Sequence, residues 1–294
     1  MRYTIFGSRG RIGSFLKKYI TSNGDDVYCP ARKDYYSFDR NLGHVIYCSG
    51  ITTNFKNKSY DLIQSHVCLL SYLLKETNFD SFNYISSSRL NFPKKAALRK
   101  IHPEFYGDYE IDIYNASKLA GEALCLNSNR LNVKISRICH VVDPSDKSRQ
   151  NFLSDICGQA KNGEIRLNCS LSTKKNYIFI DDLAYLLKVI GPYGKKNFYN
   201  IGSNNIISNN EIVEKLVKLT NCRYISNKNV KTTLEPKIDI SDIIKEFNYT
   251  PIKKNIWLEK TLKALSKWLQ SDYIFLNLPL NKLFKFRKLI YKFN

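Results

Sequence analysis

The sequence predicts an α/β protein: a doubly wound parallel sheet with a smaller α/β lobe. Two observations carry that prediction. Along residues 2–203, short apolar runs such as HVIYCSG (44–50) alternate with stretches of helical periodicity, and strands buried on both faces of a parallel sheet read as continuous apolar runs. In TIFGSRGRIGSFL, Gly7, Gly10 and Gly13 stand between the first apolar run and the first helical stretch, the place where such sheets hold an anionic ligand.

Each element follows in order. Residues 2–6 (RYTIF) are expected to form a strand, and 12–20 a helix with Ile12, Phe15, Leu16 and Tyr19 on one face. DDVYCPARK (25–33) reads as a second short strand, and HVIYCSG as a third. The connection ARKDYYSFDRNLG is too short for a full crossover helix. Residues 61–74 have helical spacing, with Leu62, Val67, Leu70, Leu73 and Leu74 apolar. FNYISSS (82–88) is a strand ending in three serines, 112–126 a helix, and NVKISRICHVV (132–142) one strand. NYIFIDDLAYLLKVI (176–190) reads as a strand turning into a helix capped by Asp181 or Asp182, and 196–203 as a last strand. Residues 1–142 and 176–204 are therefore assigned to the sheet domain, 143–175 and 205–270 to the smaller lobe, and 271–294 to a tail.

A chain of 294 residues with 43% hydrophobic content can bury a large core, which excludes general disorder. No apolar run approaches the roughly 20 residues of a membrane span, no signal peptide is expected, and the expected location is the cytoplasm. Eight cysteines without a C-x-x-C pair, several of them inside apolar runs, read as buried thiols rather than a disulfide framework or a metal site. The net charge of +20 reads as solvated lysines, and no nucleic acid is expected; nucleic-acid binding, an anionic membrane surface or an acidic substrate are the other readings.

Three groups of residues carry chemistry. The glycine loop opens the first helix, where free N–H groups and the helix dipole suit a pyrophosphate. In YNASK, Tyr114 and Lys118 are one helical turn apart and share a face, so an ammonium there favours the phenolate and makes an acid/base. Ser86–Ser88 close a strand at its carboxyl end, where open sheets bind ligands.

Taken together these segments resemble the extended short-chain dehydrogenase/reductase superfamily, the NAD(P)-dependent epimerase/dehydratase family acting on nucleotide sugars. The likeness covers roughly residues 1–270. It includes VIYCSG, YISSSRLNFP, YNASKLAGEAL, RICHVVDP (137–144), TKKNYIFIDDLA, FYNIGS and PKIDIS. The resemblance implies a Rossmann fold, with the smaller lobe binding substrate. It implies a catalytic set of Tyr114, Lys118 and Ser88, with Lys118 also binding the nicotinamide ribose and Ser88 orienting substrate. Gly7, Arg9, Gly10, Arg11, Ile12, Gly13, Arg32, Lys33, Cys48, Ser49, Gly50 and Ser86 would contact the cofactor. Arg89, His140 and Lys175 would join Ser88 and Tyr114 at the substrate, Lys175 standing where an Arg grips the diphosphate. Departures fall at Phe92, His140 and Asp143, where the family carries Tyr, Asn and Gly.

Arg32 and Lys33 follow the second strand and Arg9 lies in the loop, so NADP(H) is the expected cofactor. The alternative is NAD(H), with Asp34 on the ribose 2′-OH. Arg89 and Leu90 replace the Asp-Glu pair of the family's dehydratases, which leaves a 4-keto-sugar reductase, the preferred reading, or an epimerase; a non-catalytic dinucleotide sensor is the further alternative, opposed by the retained Tyr114 and Lys118. His140 is read as a second acid/base or as structural; His44 and His66 are read as structural. A homodimer is expected. In the tail, Lys282, Lys285, Arg287, Lys288 and Lys292 interleave with Leu283, Phe286, Leu289, Ile290 and Phe293. That pattern suits an amphipathic helix on an anionic membrane, or one packed on the body or a partner subunit.

Overall fold

The computed structural model describes residues 1–51, 58–91, 109–143, 151–203, 206–225, 230, 232, 235, 237–256, 259 and 262. Phe92 and the tail expected at 271–294 lie outside the described residues. The described chain forms two compact units.

The first unit comprises residues 1–142, 175–206 and 235–251. It opens with β1 (Arg2–Phe6), α1 (Arg11–Ser22), β2 (Asp26–Tyr28), β3 (His44–Tyr47), α2 (Ser59–Ile63) and α3 (Leu69–Glu76). One turn of π-helix, Gln64–Cys68, joins α2 to α3. Then come β4 (Ser81–Ser87), α4 (Tyr109–Leu126), β5 (Val133–Ile138) and β6 (His140–Val142). Residues Phe152–Lys161 (α5) and Glu164–Arg166 (β7) belong to the second unit. The chain continues through β8 (Lys174–Phe179), α6 (Ile180–Tyr193), β9 (Phe198–Ile201), β10 (Ile206–Ser208), α7 (Asn209–Thr220), β11 (Arg223–Ile225) and α8 (Ser241–Phe247).

Six parallel strands run in the order β2-β1-β3-β4-β5-β9. The winding reverses between β1 and β3, with β2 on one side and the later strands on the other. Period-two alternation sorts the side chains. Ile5, Ile46 and Ile85 face one core with Leu16 and Ile20 of α1, Leu183, Leu187 and Ile190 of α6, and Ile243 and Phe247 of α8. Phe6, Tyr47, Phe82 and Tyr84 face the other core with Leu69, Leu70, Leu73 and Leu74 of α3. Both faces of the sheet are thus covered by helices, the doubly wound arrangement that the sequence predicts.

Four local expectations are corrected. The strand expected over 132–142 breaks at Cys139: β5 stays in the six-stranded sheet, while β6 pairs with β8 in a separate one. Neither Asp181 nor Asp182 caps α6; Phe179 holds the cap position without a side-chain bond, and Asp182 instead accepts from the Tyr249 hydroxyl at 3.0 Å. The second strand ends at Tyr28, and Arg32–Asp34 form a 3-10 turn. All eight cysteines are free thiols; Cys125, Cys139, Cys157 and Cys222 are buried as expected, whereas Cys29, Cys48 and Cys169 are half-buried and Cys68 is exposed.

In the second unit, α5 is capped by Asn151, whose side chain accepts from Ser154 N at 2.9 Å. There β7 pairs in parallel with β11, and α7 opens on a capping box of Ser208 and Glu211. Among the described residues no helix is long and apolar enough to cross a membrane.

Candidate active site

The carboxyl ends of β1, β3 and β4 meet where the winding reverses, which is where an open α/β sheet forms its ligand crevice. Gly7 adopts a left-handed φ of +78°, and a Cβ on it would lie 2.7 Å from the carbonyl carbon and oxygen of Cys48. A Cβ on Gly13 would lie 2.4 Å from the Gly7 carbonyl oxygen. Only glycine lets this loop, the first turn of α1 and the end of β3 close on one another. Gly10 caps α1 with no side-chain bond to the helix amides, and its own N–H donates to Gly7 O at 3.0 Å. Such a helix start, fronted by glycine, fits a phosphate group. The Tyr35 hydroxyl accepts from Gly7 N at 3.2 Å, placing the Arg32–Asp34 turn beside the loop.

The crevice continues along the sheet edge. A Cβ on Gly50 would lie 2.6 Å from His66 Nε2 and 3.7 Å from Lys118 Nζ. The Lys118 ammonium donates to the Ile85 carbonyl at 2.8 Å and stands 5.0 Å from the Tyr84 ring centroid. Burial pushes this lysine down to about 8. The Tyr114 phenol, also buried, bonds the Ser87 side chain. Arg89 lies 5.9 Å from the centre of the Tyr114 ring. Burial raises the phenol above its ordinary value, against the lowering effects of Ser87 and Arg89. Buried Ser86 Oγ has no hydrogen-bond partner among the described residues, so a polar atom stands at the strand end for a ligand.

A second group gathers on β6 and β8. His140 Nε2 lies 2.7 Å from Glu235 Oε1, and Asn176 N donates to Glu235 Oε2 at 2.9 Å. Burial raises the Glu235 carboxyl, but His140, Asn176 and Lys175 together outweigh burial and hold it below its usual range. The His140 side chain remains 44% exposed, backed by a buried carboxylate.

The NAD dependent epimerase/dehydratase family model matches residues 3–202. The chain belongs to this family. No curated protein matches it in sequence. Among solved structures it is similar to a UDP-glucuronic acid 4-epimerase from Bacillus cereus in complex with UDP-glucuronic acid and NAD, with 19% identity, 92% of this chain and 99% of that one covered, and a TM-score of 0.70. MoeE5 in complex with UDP-glucose and NAD gives 17% identity, 93% and 100% coverage and a TM-score of 0.70. RMD from Pseudomonas aeruginosa complexed with NADPH gives 16% identity, 92% and 98% coverage and a TM-score of 0.73. At these identities the likeness establishes the fold.

Of the expected site residues, Gly7 and Gly13 approach each other and the Cys48–Ser49 end of β3, Gly50 approaches Lys118, and Lys118 bonds Ile85 next to Ser86 on β4, while Tyr114 bonds Ser87. Arg9, Arg11 and Ile12 belong to the loop and first helical turn, and Arg32 and Lys33 to the neighbouring 3-10 turn. His140 and Lys175 gather at Glu235. Two details differ from the sequence reading. The phenol's hydroxyl partner is Ser87, while Ser88 opens the following 3-10 turn. Burial keeps the phenol high, and the cation that opposes burial is Arg89, not Lys118. The sequence reading did not name Glu235, which lies far along the chain from His140.

Proposed function

We propose that the protein is an NADP(H)-dependent oxidoreductase acting on a nucleotide-activated sugar, a 4-keto-sugar reductase. The observation that carries the reading is the buried Tyr114 phenol on a serine hydroxyl, one helical turn from a buried lysine, in line with the glycine loop. Gly7 to Gly13 and the start of α1 would hold the pyrophosphate, Arg9, Arg32 and Lys33 the 2′-phosphate, and Lys118 the nicotinamide ribose. When bound, the reduced nicotinamide supplies hydride to the sugar carbonyl carbon. Tyr114 delivers its proton to the carbonyl oxygen as that oxygen becomes a hydroxyl, while Ser87 and Ser88 fix the oxygen's position. Arg89 favours the phenolate left behind. Lys175 and His140 would hold the substrate's diphosphate.

A second reading, an epimerase with tightly held NAD, has support in the 4-epimerase likeness and in Asp34 on the same turn as Arg32 and Lys33. The experiment that separates the two is the cofactor recovered from the purified chain, followed by turnover with nucleoside-diphosphate 4-keto sugars. Preference for added NADPH and its net oxidation support the reductase. Co-purified NAD and no net oxidation overturn it in favour of the epimerase.

The same reading includes a cytoplasmic homodimer. Support comes from the groove of about 550 Å³ between α3 and α4, lined by Val67, Ala120, Ala123 and Leu124, with Leu119 and Leu126 exposed on α4. Light scattering tests it: Ala123→Glu should convert a dimer to a monomer. The sequence pattern of 282–293 supports a membrane contact, which requires the full chain, but not one lacking 277–294, to sediment with anionic vesicles.

A further inference from the structure

We propose that His66 is a positioning residue for the Tyr114–Lys118 pair: Ser117 fixes its imidazole as the Nδ1–H tautomer, and its Nε2 lone pair is the acceptor that steadies the Lys118 ammonium. The proposal rests on the reading of Tyr114 and Lys118 as the catalytic pair.

His66 is 0% exposed and sits on the π-helical turn between α2 and α3, a local distortion that proteins often place at functional sites. The Ser117 hydroxyl donates to the Tyr114 carbonyl at 2.8 Å. A serine has one proton to give. At its 2.9 Å contact with His66 Nδ1 the serine oxygen therefore accepts, and the imidazole donates. Burial, reinforced by the Lys118 charge, pushes His66 down to about 2, so the ring is neutral. A neutral ring with its proton on Nδ1 leaves a bare lone pair on Nε2.

That Nε2 is buried and has no hydrogen-bond partner among the described residues. An unanswered buried acceptor costs on the order of 1–3 kcal/mol, so its retention beside a catalytic lysine calls for a use. Nε2 and Lys118 Nζ both approach the one point where a Gly50 side chain would begin, and Gly50 leaves that point empty. The ammonium has three protons, of which Ile85 O takes one. In the proposed arrangement the lysine end shifts into the space that Gly50 leaves and turns a second proton to Nε2. The His66 ring also packs edge-on to Tyr114, with centroids 5.7 Å apart. One side chain thus braces the tyrosine's helical turn through Ser117 and faces the lysine with its other nitrogen.

The other titratable groups around Lys118 are Cys48 at the end of β3, Glu122 and Cys125 on its own helix, and Tyr84 on β4. Burial pushes the Cys48 thiol up to about 12, so it carries no charge near neutrality. Glu122 is paired with Arg137 at 2.6 Å. His66 is therefore the neutral acceptor left to favour the ammonium.

The test compares pH profiles of kcat/KM for the wild type, His66→Phe and His66→Gln. Phenylalanine keeps a ring but accepts nothing, so the ammonium is lost sooner as pH rises. The alkaline limb should move down by roughly one pH unit. The glutamine amide oxygen accepts, and should restore the limb. A uniform loss of activity with an unmoved limb overturns the proposal and leaves His66 a packing residue. Should His66→Phe fail to fold, nitrogen NMR of the wild type decides, with the His66 signal identified from His66→Gln. A neutral Nδ1–H tautomer between about pH 5 and 9 supports the proposal. The Nε2–H tautomer overturns it. Failure of the parent reading looks different: Tyr114→Phe would then leave turnover unchanged.

Discussion

The two ends of the crevice are built from different materials. At the glycine loop the shape comes from backbone, with Gly7 and Gly13 allowing carbonyls and amides to approach where any Cβ would collide. At the other end it comes from side chains: Ser86, Ser87, Tyr114, Lys118 and, beneath them, Ser117 and His66. The first end is intolerant of added atoms and indifferent to chemistry. The second tolerates changes of shape but depends on each donor and acceptor. Grip and reaction should therefore separate under mutation.

The largest expected effect is at the side-chain end. Tyr114→Phe removes the proton donor and should lower kcat by about 10²- to 10⁴-fold. Cofactor affinity and melting temperature should stay close to wild type, as calorimetry of NADPH binding and thermal unfolding would show. Loss of cofactor binding in this variant would break the distinction between the two ends.

Gly13→Ala is the reverse case. Its Cβ would meet a backbone carbonyl at 2.4 Å, so relief requires the loop to move. Stability should fall by about 1–3 kcal/mol, read by denaturant unfolding, and dinucleotide affinity should fall with it.

Glu235→Gln probes the separate His140 group. The carboxyl is held below its usual value in the folded chain, so it contributes stability at and above neutral pH. That contribution is lost as pH falls through the folded value. The variant should be less stable by about 1–2 kcal/mol at pH 7, and the gap should close in acid. A gap that widens in acid would contradict the depressed carboxyl of Glu235.

The smallest effect belongs to Arg32→Ala. Removing one cation from the turn beside the loop should reduce the preference for NADPH over NADH by about tenfold. Unchanged preference would move the 2′-phosphate contact to Arg9 or Lys33.

Much of this was legible in the sequence because it is local. Strand β1 falls at 2–6 as its apolar run indicates, and the glycines and the Tyr-x-x-x-Lys spacing mark the two ends of the crevice. The family is legible for the same reason. What escaped was set by tertiary contact. No local signal in SRICHVV says that the chain leaves one sheet for another at Cys139, since both halves are apolar and extended. Tyr249 draws Asp182 away from any capping role, and a bond between residues so far apart has no local signature. The choice of Ser87 over Ser88 as the phenol's partner depends on where β4 stops pairing. The contact of His66 with Ser117 is likewise tertiary, since the two residues lie on different helices.

The cysteines offer a practical consequence. Burial raises the thiols of Cys48, Cys125, Cys139 and Cys157, and a thiol that resists ionisation reacts slowly. Cys68 alone is exposed, and it shares the π-helical turn with His66. A maleimide dye offered briefly should therefore mark this turn first, giving an optical reporter on the segment that carries His66 without any engineered residue.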